Sequence, residues 1–255
     1  MNHYIKFINQ NIHYFIFFLF FILIIGLNNN YGFSWDEELS RLNGIVSFNY
    51  ILEKLNILDH LKFQNIPKLN NYIDNEYGVF FEVLSVSLEK FLQINEKEKI
   101  FYFRHILNSI FFFIGSIYFY YTLNLFYSRN ISILGFIIFI LHPRIFAQSF
   151  YNSKDIIFLV FFCISNFYLI NYFITRKIKF LFILSIITSF AIGTRVMGLI
   201  IPFLFIIFFI FENLEKNKFK IIFLIFPFLL MTFLFTILFW PYLWENPLNI
   251  VLSLT

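Results

Sequence analysis

Long runs without a charged residue dominate this chain and limit what it can fold into. They cover residues 14–27, 105–128, 130–143, 156–175, 180–194, 196–211 and 221–244. Crossing the roughly 30 Å hydrocarbon core of a membrane takes about 20 apolar residues. Because 60% of the 255 residues are hydrophobic and only 13% are charged, a soluble domain of this size has no interior large enough for them. The sequence predicts an all-α, polytopic membrane helical bundle with about seven transmembrane helices, the shorter of which need support from neighbouring helices.

Residues 28–100 are the only part of the chain with a near-soluble composition. We interpret them as a long first extracytoplasmic loop. Apolar residues recur at helical spacing over 37–58 and 77–92, which predicts two amphipathic helices on the membrane surface. Residues 101–255 then contain helices two to seven and the following loop, and the whole chain, 1–255, is predicted to be one membrane module.

Basic residues in short loops predict the orientation, because cytoplasmic loops are enriched in Lys and Arg. With a cytoplasmic N-terminus, that side holds Lys6, Arg129, Arg176, Lys177, Lys179, Lys216, Lys218 and Lys220. The short loops on the other side hold only Arg144, Lys154 and Arg195. The first apolar run is not followed by small residues suited to signal-peptide cleavage, so we expect an uncleaved anchor.

Several classes of function lack their sequence signals. A single cysteine excludes an internal disulfide, and the chain has no Gly-rich phosphate loop and no Cys-x-x-Cys pair. The basic residues are scattered, so we expect no nucleic-acid partner.

Polar residues interrupt the apolar runs at four places, and the predicted topology puts all four on the extracytoplasmic side. They are residues 34–38, 104–105, 142–155 and 193–195, with the aromatic stretch 240–247 beside the last of them. Charges at membrane depth are costly and are usually paired or functional. Their convergence on one face therefore indicates a site.

Each of these residues also has a purely structural interpretation. Asp36 and its acidic neighbours suit the first turn of a helix, and Asp155 suits an N-cap. Arg104 and Arg195 would then extend to the interface, and His105 would be a packing residue. The aromatic residues at 240–244 would form an interfacial belt.

The functional interpretation combines them. A carboxylate in a partly dry cleft can take a proton from an acceptor hydroxyl, and cationic side chains on the same face can bind a phosphate. Grooves between helices can hold a lipid tail. Together these features favour glycosyl transfer from a polyprenyl-phosphate sugar at the outer membrane surface.

The ordered motifs also carry a family resemblance. They are FSWDEE, YGVFFEVLS, RHILNSIFFFIG, LHPRIFAQSFYNSKDIIF, AIGTRVMGL and WPYLWENP. This set resembles the bacterial membrane glycosyltransferases of the C-type superfamily, in the family 39-like branch of protein O-mannosyltransferases and aminoarabinose transferases. The resemblance implies a seven-helix module in the bacterial inner membrane, an extracytoplasmic active site, and a polyprenyl-phosphate monosaccharide as donor. The acceptor would be a protein, lipid or glycan.

The resemblance also implies roles for single residues. Asp36 matches the catalytic acid and Glu37 the acid beside it, while Glu38 adds a third carboxylate to the motif. The substrate-binding and donor-phosphate residues would be Arg104, His105, Asn152, Lys154, Asp155 and Arg195. We expect Asp36 to act as general base in a direct, inverting displacement.

Three alternatives stay open at this point. Asp36, Glu37 and Asp155 have the hard oxygen ligands that a divalent cation prefers, although no metal or other cofactor is favoured. A transporter or flippase for lipid-linked sugars would also place Arg and Asp in the membrane, but it predicts internal repeats that the sequence lacks. Relatives continue beyond the position of Thr255, so we also expect a missing C-terminal part and consider a truncated, non-catalytic relative.

Overall fold

The computed structural model describes residues 2–212 and 218–251, and within them it is helical without a β-strand. The helices are α1 (Asn2–Leu27), α2 (Glu37–Leu55), α3 (Phe80–Phe91), α4 (Lys97–Asn124), α5 (Arg129–Ile140), α6 (Pro143–Tyr151), α7 (Asp155–Thr175), α8 (Ile178–Ile192), α9 (Ile200–Glu212) and α10 (Lys218–Phe239). Lys216, which contributed to the predicted orientation, and residues 252–255 of the predicted module lie outside the described residues.

Three helical segments are long and apolar enough to cross a membrane. They are Asn11–Asn30, Lys97–Asn124 and Asp155–Thr175. Counting the bent pair α5 and α6 as one crossing gives four, so the expected seven full spans are not confirmed. The shorter apolar segments Ile178–Ile192, Val196–Glu212 and Ile225–Phe239 have at most 17 residues. At 1.5 Å per residue, Ile178–Ile192 and Val196–Glu212 reach only about 22–26 Å, whereas the whole of α10, with 22 residues, is about 33 Å long.

The predicted third helix, 130–143, is broken. It ends at Ile140, and a second helix begins at Pro143 at 63° to the first. Proline suits the first turn of a helix because its missing N–H would have no partner there, and the Nδ1 atom of His142 accepts from the backbone N–H of Ile145 at 3.5 Å. His142 and Pro143 therefore end one helix and start the next.

Helix α4 lies at the centre of the bundle and packs against α1, α5, α6 and α7, while α8 joins α7 to α10. The core between them is unusually aromatic. Phe17, Phe112 and Phe136 are among its buried side chains. Gly115 lets α4 approach α7 closely, because a Cβ at this position would lie 2.8 Å from the side chain of Val160.

The predicted amphipathic helices form, as α2 and α3, but they bury their apolar residues against protein. Ile45, Phe48 and Leu52 of α2 pack with Val86 of α3. The intervening loop contributes Leu69 and other residues to a second small cluster. Helix α2 is therefore buried on two sides rather than along a single stripe.

A third cluster attaches the layer formed by α2, α3 and the loop between them to one end of the helical bundle. Val79, just before α3, packs against Ile192 at the end of α8 and Trp240 after α10. The backbone N–H of Phe80 donates to the carbonyl of Gly193 at 3.0 Å. The ends of α8 and α10 thus meet the start of α3 at the same end of the molecule.

Candidate functional site

A cleft of about 430 Å³ opens at this end of the bundle. Its walls come from five separate parts of the chain. They include Asp36 before α2, Glu76, Tyr77 and Gly78 before α3, Lys154 before α7, Thr194 and Arg195 after α8, and Trp240 after α10. Three predicted site residues, Asp36, Lys154 and Arg195, therefore line one cavity.

Close backbone approach shapes the cleft at Gly78. A Cβ added there would lie 2.7 Å from the carbonyl oxygen of Gly193. Real Cβ atoms do not tolerate this distance, so only glycine lets the segment before α3 lie against the end of α8.

Asp36 and Glu37 form an acidic turn beside the cleft, and hydrogen bonds fix the position of both side chains. Asp36 is half-buried, and its Oδ1 atom accepts from the Oγ atom of Ser34 at 2.6 Å. Glu37 is buried, its Oε1 atom accepts from the backbone N–H of Ser34 at 2.5 Å, and its Oε2 atom lies 2.8 Å from Nε2 of His105. Glu37 and His105 therefore attach the acidic turn to α4, and Asp36 is the member of the pair that faces the cleft.

The basic wall contains an ion pair and a lysine. The Nη2 atom of Arg195 lies 2.7 Å from Oδ1 of Asp155. The other carboxylate oxygen of Asp155 accepts from Nδ2 of Asn152 at 3.0 Å, and the Asn152 side chain also accepts from the backbone N–H of Asp155 at 2.9 Å. The side chain of Asn152, not that of Asp155, thus satisfies the first backbone N–H of α7. The Nζ atom of Lys154 lies 5.1 Å from the ring centroid of Tyr77.

Two N–H donors in the wall have no hydrogen-bond partner in the described structure. They are Nε of Arg195 and Nε1 of Trp240, and both atoms are buried. Trp240 itself is 1% exposed, so the prediction that it belongs to an interfacial aromatic belt is wrong. Buried donors are normally satisfied by protein or by water, so these two N–H groups are exceptions beside the cleft.

Tyr242, which follows Trp240 in the chain, is not a candidate base. Burial, with a smaller contribution from the carboxylate of Glu76, raises the pKa of its phenol above the ordinary value. The phenol therefore keeps its proton at neutral pH.

Arg104 lies in a separate, buried network. Its side chain is 4% exposed; Nη1 donates to Oε1 of Glu89 at 3.1 Å, and Nη2 pairs with Glu82. Arg41 adds a 2.9 Å contact from Nε to Oε2 of Glu89. With both carboxylates engaged and its surface enclosed, the guanidinium does not face a phosphate or the interface. In this geometry Arg104 neither lines the cleft nor extends to the molecular surface, so its expected contact with a donor phosphate stays a prediction.

This network nevertheless reaches the cleft. The Oγ atom of Ser153 donates to Oε1 of Glu82 at 2.5 Å, and Ser153 precedes Lys154 in the chain. Glu82 and Glu89 were not identified from the sequence. Their spacing of seven residues places them on one face of α3, and acids on the otherwise apolar face of an amphipathic helix are a signal that could have found them.

The eight predicted site residues thus fall into three groups. Asp36, Lys154 and Arg195 line the cleft, Asn152 and Asp155 support Arg195, and Glu37, Arg104 and His105 are buried in pairs. Within residues 2–212 and 218–251, no group of three or more His, Cys, Asp or Glu side chains is arranged to hold a metal ion.

Comparison with known proteins gives no match to a family model, to a curated protein or to a solved structure. The resemblance to C-type glycosyltransferases therefore rests on the motifs of this sequence, and the function has to be argued from the cleft.

Proposed function

We propose that the protein is a membrane glycosyltransferase that moves a monosaccharide from a polyprenyl-phosphate donor to a protein, lipid or glycan acceptor. The observation that carries this proposal is that Asp36, Lys154 and Arg195, from distant parts of the sequence, line one cleft at the end of an apolar helical bundle. A cleft that combines two carboxylates, of Asp36 and Glu76, with two cations suits a reaction in which a hydroxyl loses a proton while a phosphate accumulates negative charge.

In the proposed reaction, the Asp36 carboxylate removes the proton of the acceptor hydroxyl. The acceptor oxygen attacks the anomeric carbon from the face opposite the phosphate, and the bond between that carbon and the phosphate oxygen breaks with inversion. The leaving lipid phosphate keeps the electron pair. Lys154 and Arg195, which line the cleft, stabilise its charge.

The membrane arrangement belongs to the same proposal. We place the cleft on the extracytoplasmic side of a bacterial inner membrane with the N-terminus in the cytoplasm. Helices α8, α9 and α10 would complete the seven crossings, the short helices α8 and α9 with help from their neighbours, because a bilayer can thin beside a short helix. The lipid tail of the donor would lie between helices, within the hydrocarbon.

The test uses the purified full chain in detergent with a panel of radiolabelled polyprenyl-phosphate sugars. Asp36→Asn should reduce donor turnover by about 10²–10⁴-fold, the range for loss of a general base. Glu38→Gln is the matched control, because Glu38 is an exposed neighbour that pairs with Lys97 and does not line the cleft. Turnover that is unchanged in Asp36→Asn would contradict the catalytic assignment. Translocation of the donor across vesicles without turnover would favour the transporter instead.

A further inference from the structure

A second cavity lies at the opposite end of the bundle. It is an apolar groove of about 520 Å³, formed by the C-terminal part of α7, the C-terminal part of α9 and Phe126 after α4. Helix α7 has 21 residues and begins at the cleft, so the groove end of this helix is about 30 Å away from the cleft. It is therefore independent of the proposed transferase site.

The groove presents apolar side chains to its surroundings. Ile174, Phe208 and Phe211 are 59%, 51% and 70% exposed in the described structure, and Phe173 lies between them. The groove follows a helix long and apolar enough to cross a membrane, so its natural environment is hydrocarbon. Its shape and lining suit an acyl chain.

Positive charge is concentrated where α7 ends. Arg176, Lys177 and Lys179 are exposed and follow directly after Thr175. Arg176 adopts a left-handed backbone conformation, with φ of 56°, and its guanidinium carbon lies 5.1 Å from the ring centroid of Phe173 in the groove. One acid, Glu212, pairs with Arg176 at this end. The cationic side chains therefore border the apolar groove at the position where a lipid headgroup would lie.

We infer that this groove binds one acyl chain of an anionic phospholipid, with the lipid phosphate held by Arg176 and Lys177. Apolar lining selects a chain, and the charges of the described residues at this end, three basic and one acidic, select a negatively charged headgroup. Glu212 competes with the phosphate for the guanidinium of Arg176. A free phosphate ion is also an anion but lacks the chain, so a site for the lipid should prefer the lipid to inorganic phosphate.

Native mass spectrometry of the full chain in detergent tests this inference by counting bound lipids. Dioleoyl phosphatidylglycerol and dioleoyl phosphatidylcholine have the same chains, and the first should bind about 5-fold more tightly, because one basic residue contributes about a factor of five near a headgroup. Lys177→Ala should remove most of this preference. Lys99→Ala, which removes one positive charge near the other end of the bundle, should leave it unchanged.

Glu212→Gln should change phosphatidylglycerol binding in the direction opposite to Lys177→Ala. With the competing carboxylate removed, phosphatidylglycerol should bind several-fold more tightly, an outcome that misfolding does not produce. Phe211→Ala should weaken both lipids, whereas Ile138→Ala, at an exposed apolar position on α5, should weaken neither. Equal binding of the two lipids, weaker phosphatidylglycerol binding in Glu212→Gln, or displacement of the lipid by an equal concentration of inorganic phosphate would overturn the inference.

Discussion

The Nη2 atom of Arg195 lies 2.7 Å from the Oδ1 atom of Asp155, and the two side chains are 42% and 46% exposed. A pair this open to solvent contributes less than about 1 kcal/mol to stability. Its geometry nevertheless orients the guanidinium in the wall of the cleft. We therefore expect the pair to matter for binding more than for folding.

Arg195→Lys tests this expectation. The substitution keeps the charge but loses the planar, two-pronged geometry that suits a phosphate. We expect KM for the lipid-linked donor to rise about 10-fold, the cost of roughly 1.4 kcal/mol of lost binding, while the unfolding temperature hardly changes. Arg144→Lys, at an exposed position, is the control and should change neither quantity. A large loss of stability in Arg195→Lys would show that the pair is structural.

Arg104→Ala should have the reverse effects and lower the stability much more than it weakens donor binding. Its removal leaves Glu82 and Glu89 buried without their cation, and breaking a buried pair in this way costs about 3–5 kcal/mol. Denaturant unfolding in detergent measures this loss, and Lys99→Ala in an exposed pair on the same helix should cost less than about 1 kcal/mol. A stable Arg104→Ala protein with impaired donor binding would restore the phosphate role that the motif suggested.

Ser153→Ala examines how the buried network acts on the cleft. The Ser153 hydroxyl donates to Glu82, so its loss should let the adjacent Lys154 side chain move and raise donor KM several-fold. In a Lys154→Ala background the same substitution should have little further effect, because the group that it positions is absent. Additive effects of the two substitutions on KM would contradict this coupling.

Gly78→Ala probes the close approach at the mouth of the cleft. The new methyl group would meet the carbonyl of Gly193, and the backbone shift needed to relieve this contact should cost about 1–3 kcal/mol and reduce turnover. Gly32→Ala is the matched control, since a Cβ at Gly32 would meet no heavy atom of the described residues within 4 Å. Thermal unfolding and donor turnover of both variants would be compared. Similar behaviour of the two variants would show that the approach is easily relaxed.

Hydrophobic pattern predicted the individual helices better than it predicted their ends. The run 156–175 corresponds to α7, which begins at Asp155. Helix α4, by contrast, begins at Lys97, eight residues before the predicted 105, because a helix can continue through charged residues that are exposed and pair with Glu38 and Glu96 only at the surface. Composition alone does not reveal those partners.

The candidate site was predictable only in part, because the sequence predicts the side of the membrane on which a residue lies but not its distant side-chain partners. The topology placed Asp36, Lys154 and Arg195 on one side of the membrane, and the structure brings them to one cleft. Arg104 and His105 stand on the same side, yet they are buried because acids 22 and 68 residues earlier in the chain pair with them. Pairs at such separations depend on how α2 and α3 pack over the bundle, which no local pattern encodes.

The bend between α5 and α6 has a consequence for the surrounding bilayer. With 12 and 9 residues, the two helices are about 18 and 14 Å long, and a 63° angle leaves a combined reach of about 24 Å along the α5 axis. A straight helix of the same residues would cover the whole hydrocarbon thickness. In the proposed membrane arrangement, with α5 along the bilayer normal, the bilayer beside this flank would be about 6 Å thinner, which would bring lipid headgroups closer to α6 and shorten the path of the proposed lipid-linked donor to Lys154.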